Sequence, residues 1–478
     1  MKYIPSSYKI AKDIRAFGRV RKGFLNQPWA SGLVLLLCVI LAMLLANLPF
    51  TKHIYHEFLL TELTIHVQSP DGHIDCFLPQ GMTVEKFIND VLMVIFFFTV
   101  GLEIKREVVC GELSSPKKAM MPVIAAAGGM LFPALIYTIV NHGTASGTGW
   151  GIPTATDIAF AIGIMTVLGS RVPLSLKVFL TALAIADDLG AILVVAFFYG
   201  GAIDMQLLFI AIAVLAVLFL MNRLGEKRMR FYILPGIAVW FLFYYAGIHA
   251  TMSGVALAFM IPMDARYTRS YFERRTREYE RRITQYDSVD IDAVNTFPNS
   301  LQRHCLRRMS YVSKNSMGMS FRLEHMLSNW VSFCIMPVFA LANAGVEIPD
   351  SSYFNIFQWT PEAGSVGMGV FFGLLLGKPL GIVIASAIAI RLGIGEMPQN
   401  ATWKMTFAVA CLGGIGFTMS IFVDTLSFAD VPELTEQLRA SGKIAILIGS
   451  LSAGILGSTL IALFHKQENK KNEQPLLK

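Results

Sequence analysis

Four ionisable side chains interrupt stretches of sequence that are otherwise apolar. Asp187 and Asp188 are adjacent in the middle of one such stretch, Asp157 lies in a second and Lys378 in a third. An ionisable group within a membrane-spanning segment costs free energy, so it is a functional candidate by default. Carboxylates are hard oxygen donors that suit a hard cation, and the same oxygens also bind protons. These residues therefore predict a site at which a cation and protons compete, which is sufficient for antiport if the site opens to one side at a time.

The two neighbouring carboxylates cannot face one partner in the same way. Successive residues of a helix point about 100° apart, so Asp187 and Asp188 have different surroundings. We expect one of them to line a water-filled cavity while the other pairs with a cation such as Lys378. The alternative is an ion pair that stabilises the helices and binds no ligand. The cost of burying two carboxylates disfavours that alternative.

Two segments predict helices that break within the membrane. The stretch Pro153-Thr-Ala-Thr156 precedes Asp157, and glycines at positions 413, 414 and 416 weaken a second helix. Non-helical backbone at membrane depth is tolerated only where it lines a cavity or is covered by protein. Paired interrupted segments in two halves of a chain are typical of the substrate site of a secondary transporter. If the glycine run is considered by itself, the alternative to a helix break is that the glycines let two helices pack closely. Asp157 would offset the positive ends of the half-helices, and Lys378 the negative ends.

Composition places the whole chain among integral membrane proteins. Of 478 residues, 54% are hydrophobic and 15% are charged, and the mean hydropathy is +0.55. Soluble domains have about 25% charged residues. An ordinary soluble enzyme, a disordered regulator and a secreted disulfide scaffold are therefore excluded. Six cysteines are scattered without paired spacing, so we expect no disulfide framework, no zinc site and no cofactor.

Twelve apolar segments have the length of a membrane-spanning helix. We predict an all-α integral membrane protein with spans at residues 29–48, 87–104, 119–140, 151–169, 178–199, 205–221, 231–246, 248–263, 329–346, 365–390, 403–423 and 443–464. Spans three to five and ten to twelve each have a discontinuous middle helix. Because an odd number of spans reverses the orientation, these triplets form an inverted repeat with two broken helices crossing in mid-membrane.

Basic residues alternate between the two sides of the predicted spans. Residues 1–28 carry seven Lys and Arg, whereas the loop at 51–86 has two. Alternation through all twelve spans predicts that both termini are cytoplasmic. The net charge of +7 then reflects topology, and no nucleic-acid partner is expected. The predicted organisation is a basic segment at 1–28 without a cleavable signal peptide, a transport domain at 29–464 and a tail at 465–478.

Two loops are long enough to have structure of their own. Residues 63–68 and 74–78 predict an extracytoplasmic β-hairpin, and because an isolated hairpin is marginal in water we expect it to pair with a second copy. A structureless loop is the alternative. The cytoplasmic stretch 264–328 carries twelve Lys and Arg, with Glu273 and Arg277, and Glu278 and Arg282, at helical spacing. This insert is expected to be partly helical and either to contact anionic lipid or to act as a solvated tether.

In combination and order, eight motifs resemble the NhaA family of sodium/proton antiporters over nearly the whole chain. They are Phe87-Ile-Asn-Asp90, Phe97-Phe-Thr-Val-Gly-Leu-Glu-Ile-Lys-Arg-Glu107, Pro153-Thr-Ala-Thr-Asp-Ile-Ala-Phe160, Leu183-Ala-Ile-Ala-Asp-Asp-Leu189, Gly247-Ile-His-Ala-Thr251, Ala340-Leu-Ala-Asn-Ala-Gly345, Gly377-Lys-Pro-Leu-Gly381 and Gly414-Ile-Gly-Phe-Thr-Met-Ser420. The long stretch 264–328 and the extended N-terminus depart from the family pattern.

The resemblance implies roles for the residues of the ion site. Asp188 would be the principal ligand of the transported Na+, and Asp187 would carry the proton and pair with Lys378 when unloaded. Thr156 and Asp157 would flank the site, with Asp157 mainly compensating charge. The resemblance also implies electrogenic export of Na+ or Li+ against a larger number of protons. It further implies a homodimer joined by the hairpin, in a bacterial inner membrane.

The resemblance also implies that a second set of residues controls the activation of transport by alkaline pH. Glu103, Arg106, Glu324 and His325 would form a cytoplasmic network, and His249 is a further candidate. Each has a simpler interpretation: Glu103 and Arg106 as a weak surface pair, His325 as a histidine that titrates without sensing, and His249 as a structural hydrogen-bonding group.

Competing functions are less well matched by the sequence. An intramembrane aspartyl protease would need a Gly-x-Gly-Asp tetrapeptide, which does not occur, and an ion channel would not need broken helices or a buried lysine. We therefore do not expect an enzyme. Two alternatives remain: an exchanger of another monovalent cation for protons, and a transport-inactive sensor with the same fold.

Overall fold

A computed structural model of the protein describes residues 27–63, 66–69, 72–75, 79, 81–201, 203–287, 300–348, 356–360, 364–399, 401–428 and 435–473. Nearly all of the predicted N-terminal segment, and the end of the predicted tail, lie outside the described residues.

Helices form most of the described chain. They are α1 (Pro28–Asn47), α2 (Lys52–Leu60), α3 (Val84–Cys110), α4 (Pro116–Val140), α5 (Ile158–Leu168), α6 (Leu174–Phe198), α7 (Met205–Arg223), α8 (Arg230–Tyr245), α9 (Met252–Met260), α10 (Arg269–Asp287), α11 (Ser300–Asn315), α12 (Met319–Asn343), α13 (Val366–Arg391), α14 (Trp403–Gly413), α15 (Phe417–Ser427) and α16 (Thr435–Glu473). Short 3-10 segments cover Glu112–Ser114, Ala145–Thr154 and Gly169–Arg171.

Two strands lie in the loop for which a hairpin was predicted. β1 (His66–Ser69) pairs antiparallel with β2 (Gly72–Asp75), with His66 opposite Asp75. Pro70 and Asp71, which connect the two strands in the chain, lie outside the described residues. Whether a second copy pairs with these strands stays a prediction.

Helix length and composition show a multi-pass membrane protein. Among the described helices, α1, α3, α4, α6, α7, α12, α13 and α16 are long and apolar enough to cross a membrane, which makes eight. Two bent pairs raise the number to ten if each pair is one span. The seventh and eighth predicted spans correspond to α8 and α9, which have 16 and 9 residues. The number twelve therefore stays a prediction.

Local sequence signals explain where several helices begin. Proline in the first turn starts α1 and α4, where a missing N–H group costs no hydrogen bond. Side-chain oxygens of Ser365 and Thr402 cap α13 and α14 by accepting from Met368 N at 3.1 Å and Met405 N at 3.4 Å.

Several helices extend beyond the apolar segments that predicted them. α12 begins at Met319, ten residues before the predicted span and inside the predicted insert, and α16 runs from Thr435 to Glu473. Hydropathy detects only the apolar part of a helix, whereas hydrogen bonding carries the helix on into polar sequence.

In the described chain, π-turns interrupt three long helices, at Ile88–Leu92, Val331–Ile335 and Gly373–Gly377. Such turns are frequent at functional positions. Asn89, within the first of these turns, and Asn343, the last residue of α12, exchange amide hydrogen bonds of 3.1 and 2.8 Å. Lys378 is the first residue after the third turn.

One compact unit comprises the described parts of residues 1–93, 107–201 and 331–478. Within it, α4 and α13 approach very closely. A Cβ atom added to Gly128 would lie 2.4 Å from Gly381 O, and one added to Gly381 would lie 2.2 Å from Gly128 O. Only glycine permits this approach, as is common where membrane helices pack. The contact lies one turn after Lys378 and holds that residue's helix against α4.

The other compact unit comprises residues 94–106 and the described parts of 202–330. Its main core consists of Leu102, Leu218, Tyr232, Ala258, Ile261, Met319 and Leu323. The Lys105 ammonium donates to Phe259 O at 2.7 Å. The predicted insert contains α10 and α11, so the expectation of partial helix formation holds for the described residues.

Ion pairs line the exposed side of α10. Glu278 contacts Arg282 at 2.8 Å, as the spacing predicts, and Arg275 at 2.7 Å. At 3.0 Å, Glu273 contacts Arg269, which lies one turn before Glu273, whereas the predicted partner Arg277 lies one turn after it. The Arg275 guanidinium lowers the pKa of the Glu278 carboxyl through their hydrogen bond. These exposed pairs contribute little to stability.

Candidate functional site

Two broken helices meet at the centre of the first unit. Ala145–Thr154 and the helix that follows are bent by 40° around the extended residues 155–157, and α14 and α15 are bent by 49° around residues 414–416. The predicted breaks at Pro153–Thr156 and at the glycine run are therefore both present. Interrupted backbone of this kind leaves carbonyl and N–H groups available for a ligand or for each other.

Part of that freed backbone is hydrogen-bonded across the crossing. Asp157 N donates to Ile415 O at 2.6 Å, and the Thr156 hydroxyl donates to Gly413 O at 2.8 Å. Ser420 Oγ donates to Ile152 O at 2.7 Å. These bonds join the two breaks to each other and keep both in place.

The Asp157 carboxylate lies at the N-termini of two half-helices. It caps α5 by accepting from Phe160 N at 3.3 Å, and it accepts from Thr418 N of α15 at 3.3 Å and from the Thr418 hydroxyl. The side chain is almost fully buried. A carboxylate that accepts from helix N-termini offsets their positive dipoles. This geometry agrees with the charge-compensating role expected of Asp157.

Lys378 is held between the other end of a half-helix and a carboxylate. Its ammonium donates to Asp187 Oδ2 at 2.6 Å and to Thr154 O, the last carbonyl of the 3-10 segment, at 2.5 Å. Both charged side chains are 0% exposed. The cation thus neutralises one carboxylate and the negative end of the segment Ala145–Thr154 together.

Asp188 and Thr156 complete the set of oxygen donors. Asp188, on α6 next to Asp187, is 3% exposed and interacts electrostatically with Lys378. The Thr156 hydroxyl faces Asp187, whose Oδ1 has no hydrogen-bond partner among the described residues. Two carboxylates, a hydroxyl and nearby backbone carbonyls are the oxygen ligands that a hard monovalent cation accepts. In the described part of the chain, no three His, Cys, Asp or Glu side chains group as a resident metal site would require.

The glycine run permits close packing as well as the break. A Cβ atom on Gly414 would lie 2.4 Å from Leu374 O, and one on Gly416 would lie 2.2 Å from Ser420 Oγ and 3.1 Å from Ala155 O. Both interpretations of the glycines therefore apply.

Sequence reasoning missed three polar residues near the crossing. Thr418 donates to Asp157, and Ser450 of α16 accepts from Phe417 N at 3.2 Å. Asp424, on α15, is fully buried. Thr and Ser are common in membrane helices, so their residue type carried no signal, although Thr418 lies in the motif Gly414–Ser420. Asp424 lies one residue beyond the predicted end of its span.

The residues implied in pH control lie in the second unit and are only partly brought together. Arg106 forms an ion pair with Glu324 and lies 3.8 Å from Glu103. His325 follows Glu324 in the chain and is exposed. His249 is half-buried in the turn between α8 and α9.

Comparison with known proteins identifies the family. The sequence profile described as Na+/H+ antiporter 1 matches residues 22–461. The chain belongs to this family. It is 40% identical over 443 residues to the Na(+)/H(+) antiporter NhaA of Oleidesulfovibrio alaskensis, covering 90% of this chain and 91% of that protein. It is 42% identical over 462 residues to the Na(+)/H(+) antiporter NhaA of Sulfurimonas denitrificans, covering 95% and 98%.

A solved structure, that of the sodium proton antiporter MjNhaP1 from Methanocaldococcus jannaschii, matches with a TM-score of 0.42 at 12% identity. It covers 90% of this chain and 98% of that one. A similarity at this level is too weak to support an argument about the fold. The family assignment rests on sequence, and it confirms the resemblance drawn from the motifs.

Proposed function

We propose that this protein exports Na+, or Li+, in exchange for a larger number of inward protons and thereby serves sodium and pH homeostasis. One observation carries the proposal: Lys378 pairs with Asp187 beside Asp188, where two broken helices meet. Membership of the Na+/H+ antiporter 1 family supports the choice of ions.

The charges at the crossing explain how cation and protons compete. In the unloaded site, Lys378 neutralises Asp187. An arriving Na+ takes oxygen ligands from Asp188, Asp187 and Thr156, and it displaces the ammonium because two cations cannot share one carboxylate without repulsion. Once displaced from its counter-ion in a buried site, the Lys378 ammonium releases its proton. Protons that enter then bind to the Lys378 amine and to Asp188, which restores the unloaded site and expels the Na+. Two protons are taken up for each Na+ released, so the exchange moves net charge.

Alternating access follows from the crossing itself. Broken helices are joined through a few backbone contacts, among them Asp157 N to Ile415 O. When the half-helices shift against α6 and α13, the carboxylates open to one side and close to the other. Ligand binding drives this change only through its different affinity for the two states.

Regulation by pH is assigned to the residues around Arg106. The ion pair of Arg106 with Glu324, and the neighbouring Glu103, support a titratable network. His325, which follows Glu324 in the chain, and His249 complete the proposed set of regulatory residues.

Charge and topology support proposals about the membrane, the position of the termini and the partners of the protein. Both termini lie in the cytoplasm of a bacterium and the helices span its inner membrane. The paired strands β1 and β2 form the contact of a homodimer. The basic helices α10 and α11 contact anionic lipid headgroups. No cofactor takes part.

Everted membrane vesicles from cells that lack other sodium/proton exchangers test the proposal. Respiration acidifies the lumen, and a fluorescent dye reports loss of the proton gradient when Na+ or Li+ is added at several pH values. We expect dissipation by the wild type and none by Asp188→Asn. Asp204→Asn is the matched control, because Asp204 caps α7 in the other unit and asparagine caps equally well. A folded wild type that is inactive with both ions would contradict the proposal.

A further inference from the structure

A buried carboxylate outside the crossing has no part in the proposed exchange site. Asp424 lies on α15, seven residues after that helix begins at Phe417 and about 10 Å along its axis. It is 0% exposed, and neither of its carboxylate oxygens has a hydrogen-bond partner among the described residues. Buried polar groups are nearly always hydrogen-bonded, so this one requires an explanation.

The residue facing Asp424 on α16 leaves space for the carboxylate. A Cβ atom on Gly442 would lie 2.1 Å from Asp424 Oδ1. Any other residue at position 442 would force the carboxylate or the helix to move. The Asp424 carboxylate thus packs against the backbone of α16 in the space that the missing side chain of Gly442 leaves.

Four charged or titratable groups face Asp424 from three directions. Lys443 and Arg439 of α16, Tyr137 of α4 and Tyr199 after α6 all interact with it electrostatically. Lys443 is also attracted by Glu85 at the start of α3. Arg439 donates through Nη2 to Thr425 O at 2.7 Å, while its Nε has no hydrogen-bond partner among the described residues.

These surroundings act on the carboxyl group in opposite directions. Burial without hydrogen bonds makes the ionised carboxylate costly and favours the protonated acid. Two neighbouring cations favour the ionised form. A group subject to both influences can hold a proton and can also release it to water, as Asp–COOH and H2O give Asp–COO− and H3O+.

Two other roles fit the contacts less well. A static ion pair would place a nitrogen of Lys443 or Arg439 in hydrogen-bond contact with Asp424, yet both carboxylate oxygens lack such contacts. A Na+ ligand would not be flanked by two cations, because they repel a third.

We propose that Asp424 is a second proton-binding site, situated between the crossing of the broken helices and the far end of α15. Resting on the proposed exchange function, we further infer that it passes protons between that side of the membrane and Asp187 and Asp188. Because Lys443 and Arg439 favour the ionised carboxylate, Asp424 binds its proton loosely enough for transfer.

Infrared spectroscopy of the purified protein in lipid tests proton binding without any transport. The band of protonated carboxylic acids is recorded over a pH titration. We expect Asp424→Asn, which keeps the side-chain volume, to lose one titrating carboxylic acid relative to the wild type. We expect Lys443→Met to move that component to higher pH, because a cation that favours ionisation is removed. Identical carboxylic-acid titrations in the wild type and Asp424→Asn would overturn the proposal.

Two further measurements separate this proposal from a structural role and from the exchange function. Asp424→Glu keeps a carboxyl group, so we expect it to restore the titrating component even if Asp424→Asn folds poorly; a folded Asp424→Glu without that component would count against the site. In vesicles, we expect Asp424→Asn to change the pH dependence of exchange, and a lower rate at every pH by one constant factor would instead indicate a structural role. If the wild type exchanges no ions, the infrared result still decides whether Asp424 binds a proton.

Discussion

Asp157 of one broken helix accepts two hydrogen bonds from Thr418 of the other. The Thr418 amide and hydroxyl both donate to Asp157 Oδ2. Because Asp157 also caps its own helix α5, one carboxylate stabilises the N-termini of two half-helices. The crossing therefore depends on a charge that binds protein groups, in contrast to Asp188, which we assign to the transported ion.

Replacing Thr418 tests that contact. Thr418→Val keeps the shape of the side chain but removes the hydroxyl donor, so the buried Asp157 carboxylate loses one hydrogen bond. A hydrogen bond to a charged group contributes about 1.5–3 kcal/mol. We expect a lower melting temperature in detergent and slower exchange. Thr425→Val is the control, since among the described residues the Thr425 hydroxyl bonds within its own helix, to Phe422 O. Equal effects of the two substitutions would show that the contact with Asp157 is unimportant.

Neutralising Asp188 and neutralising Asp157 should affect the rate of exchange to different extents. We expect Asp188→Asn to abolish exchange without unfolding the protein, because the principal cation ligand loses its charge. Asp157→Asn should reduce exchange less, since asparagine still caps a helix. Vesicle assays with matched protein amounts compare the two, and circular dichroism checks folding. Wild-type turnover by Asp188→Asn would show that the site is wrongly assigned.

Much of the crossing was predictable because buried charge and helix-breaking residues are visible in a sequence. Pro153 and the glycines at 413, 414 and 416 predicted where helices break, and the breaks occur at or next to these residues. Lys378 was predicted to pair with one aspartate, although helix geometry alone left open which of the two. In the structure the Lys378 ammonium donates to Asp187 Oδ2.

Other features could not be predicted, because they depend on packing between distant segments. Thr418 reaches Asp157 only once the two breaks meet, and although it lies in the motif Gly414–Ser420, that motif does not indicate the partner of its hydroxyl. Asp424 was missed because its span was ended one residue early, at the edge of the apolar segment. The early start of α12 at Met319 was missed because amphipathic sequence carries no hydropathy signal.

Removing the buried cation should affect both stability and activity. Lys378→Ala leaves Asp187 without its partner in a site that is 0% exposed, and breaking a buried pair costs about 3–5 kcal/mol. We expect a lower melting temperature and loss of exchange. The double substitution Lys378→Met with Asp187→Leu removes both charges and should recover stability but not transport. No gain in stability over the single variant would show that the pair is not what Lys378→Ala disrupts.

The ion pair of Arg106 with Glu324 gives a prediction about pH dependence. Arg106→Gln removes a cation that favours the ionised form of Glu324, so that carboxylate should take up a proton at higher pH. If ionised Glu324 is required for activity, the pH profile of exchange should shift in the alkaline direction while the maximal rate is kept. Arg228→Gln is the control, because Arg228 lies 3.8 Å from Glu226 in the same unit. An unshifted profile would exclude Arg106 from regulation.

The contact between α4 and α13 should be intolerant of any side chain. In Gly381→Ala the new Cβ atom would lie 2.2 Å from Gly128 O, a backbone atom that cannot rotate away. The helices must separate, at a cost of about 1–3 kcal/mol, and Lys378 must move relative to Asp187. We expect a lower melting temperature and weaker exchange. Gly32→Ala is the control, because its Cβ atom would meet Phe160 at an ordinary 3.7 Å. If Gly381→Ala matched Gly32→Ala in both measurements, this contact would not be what positions Lys378.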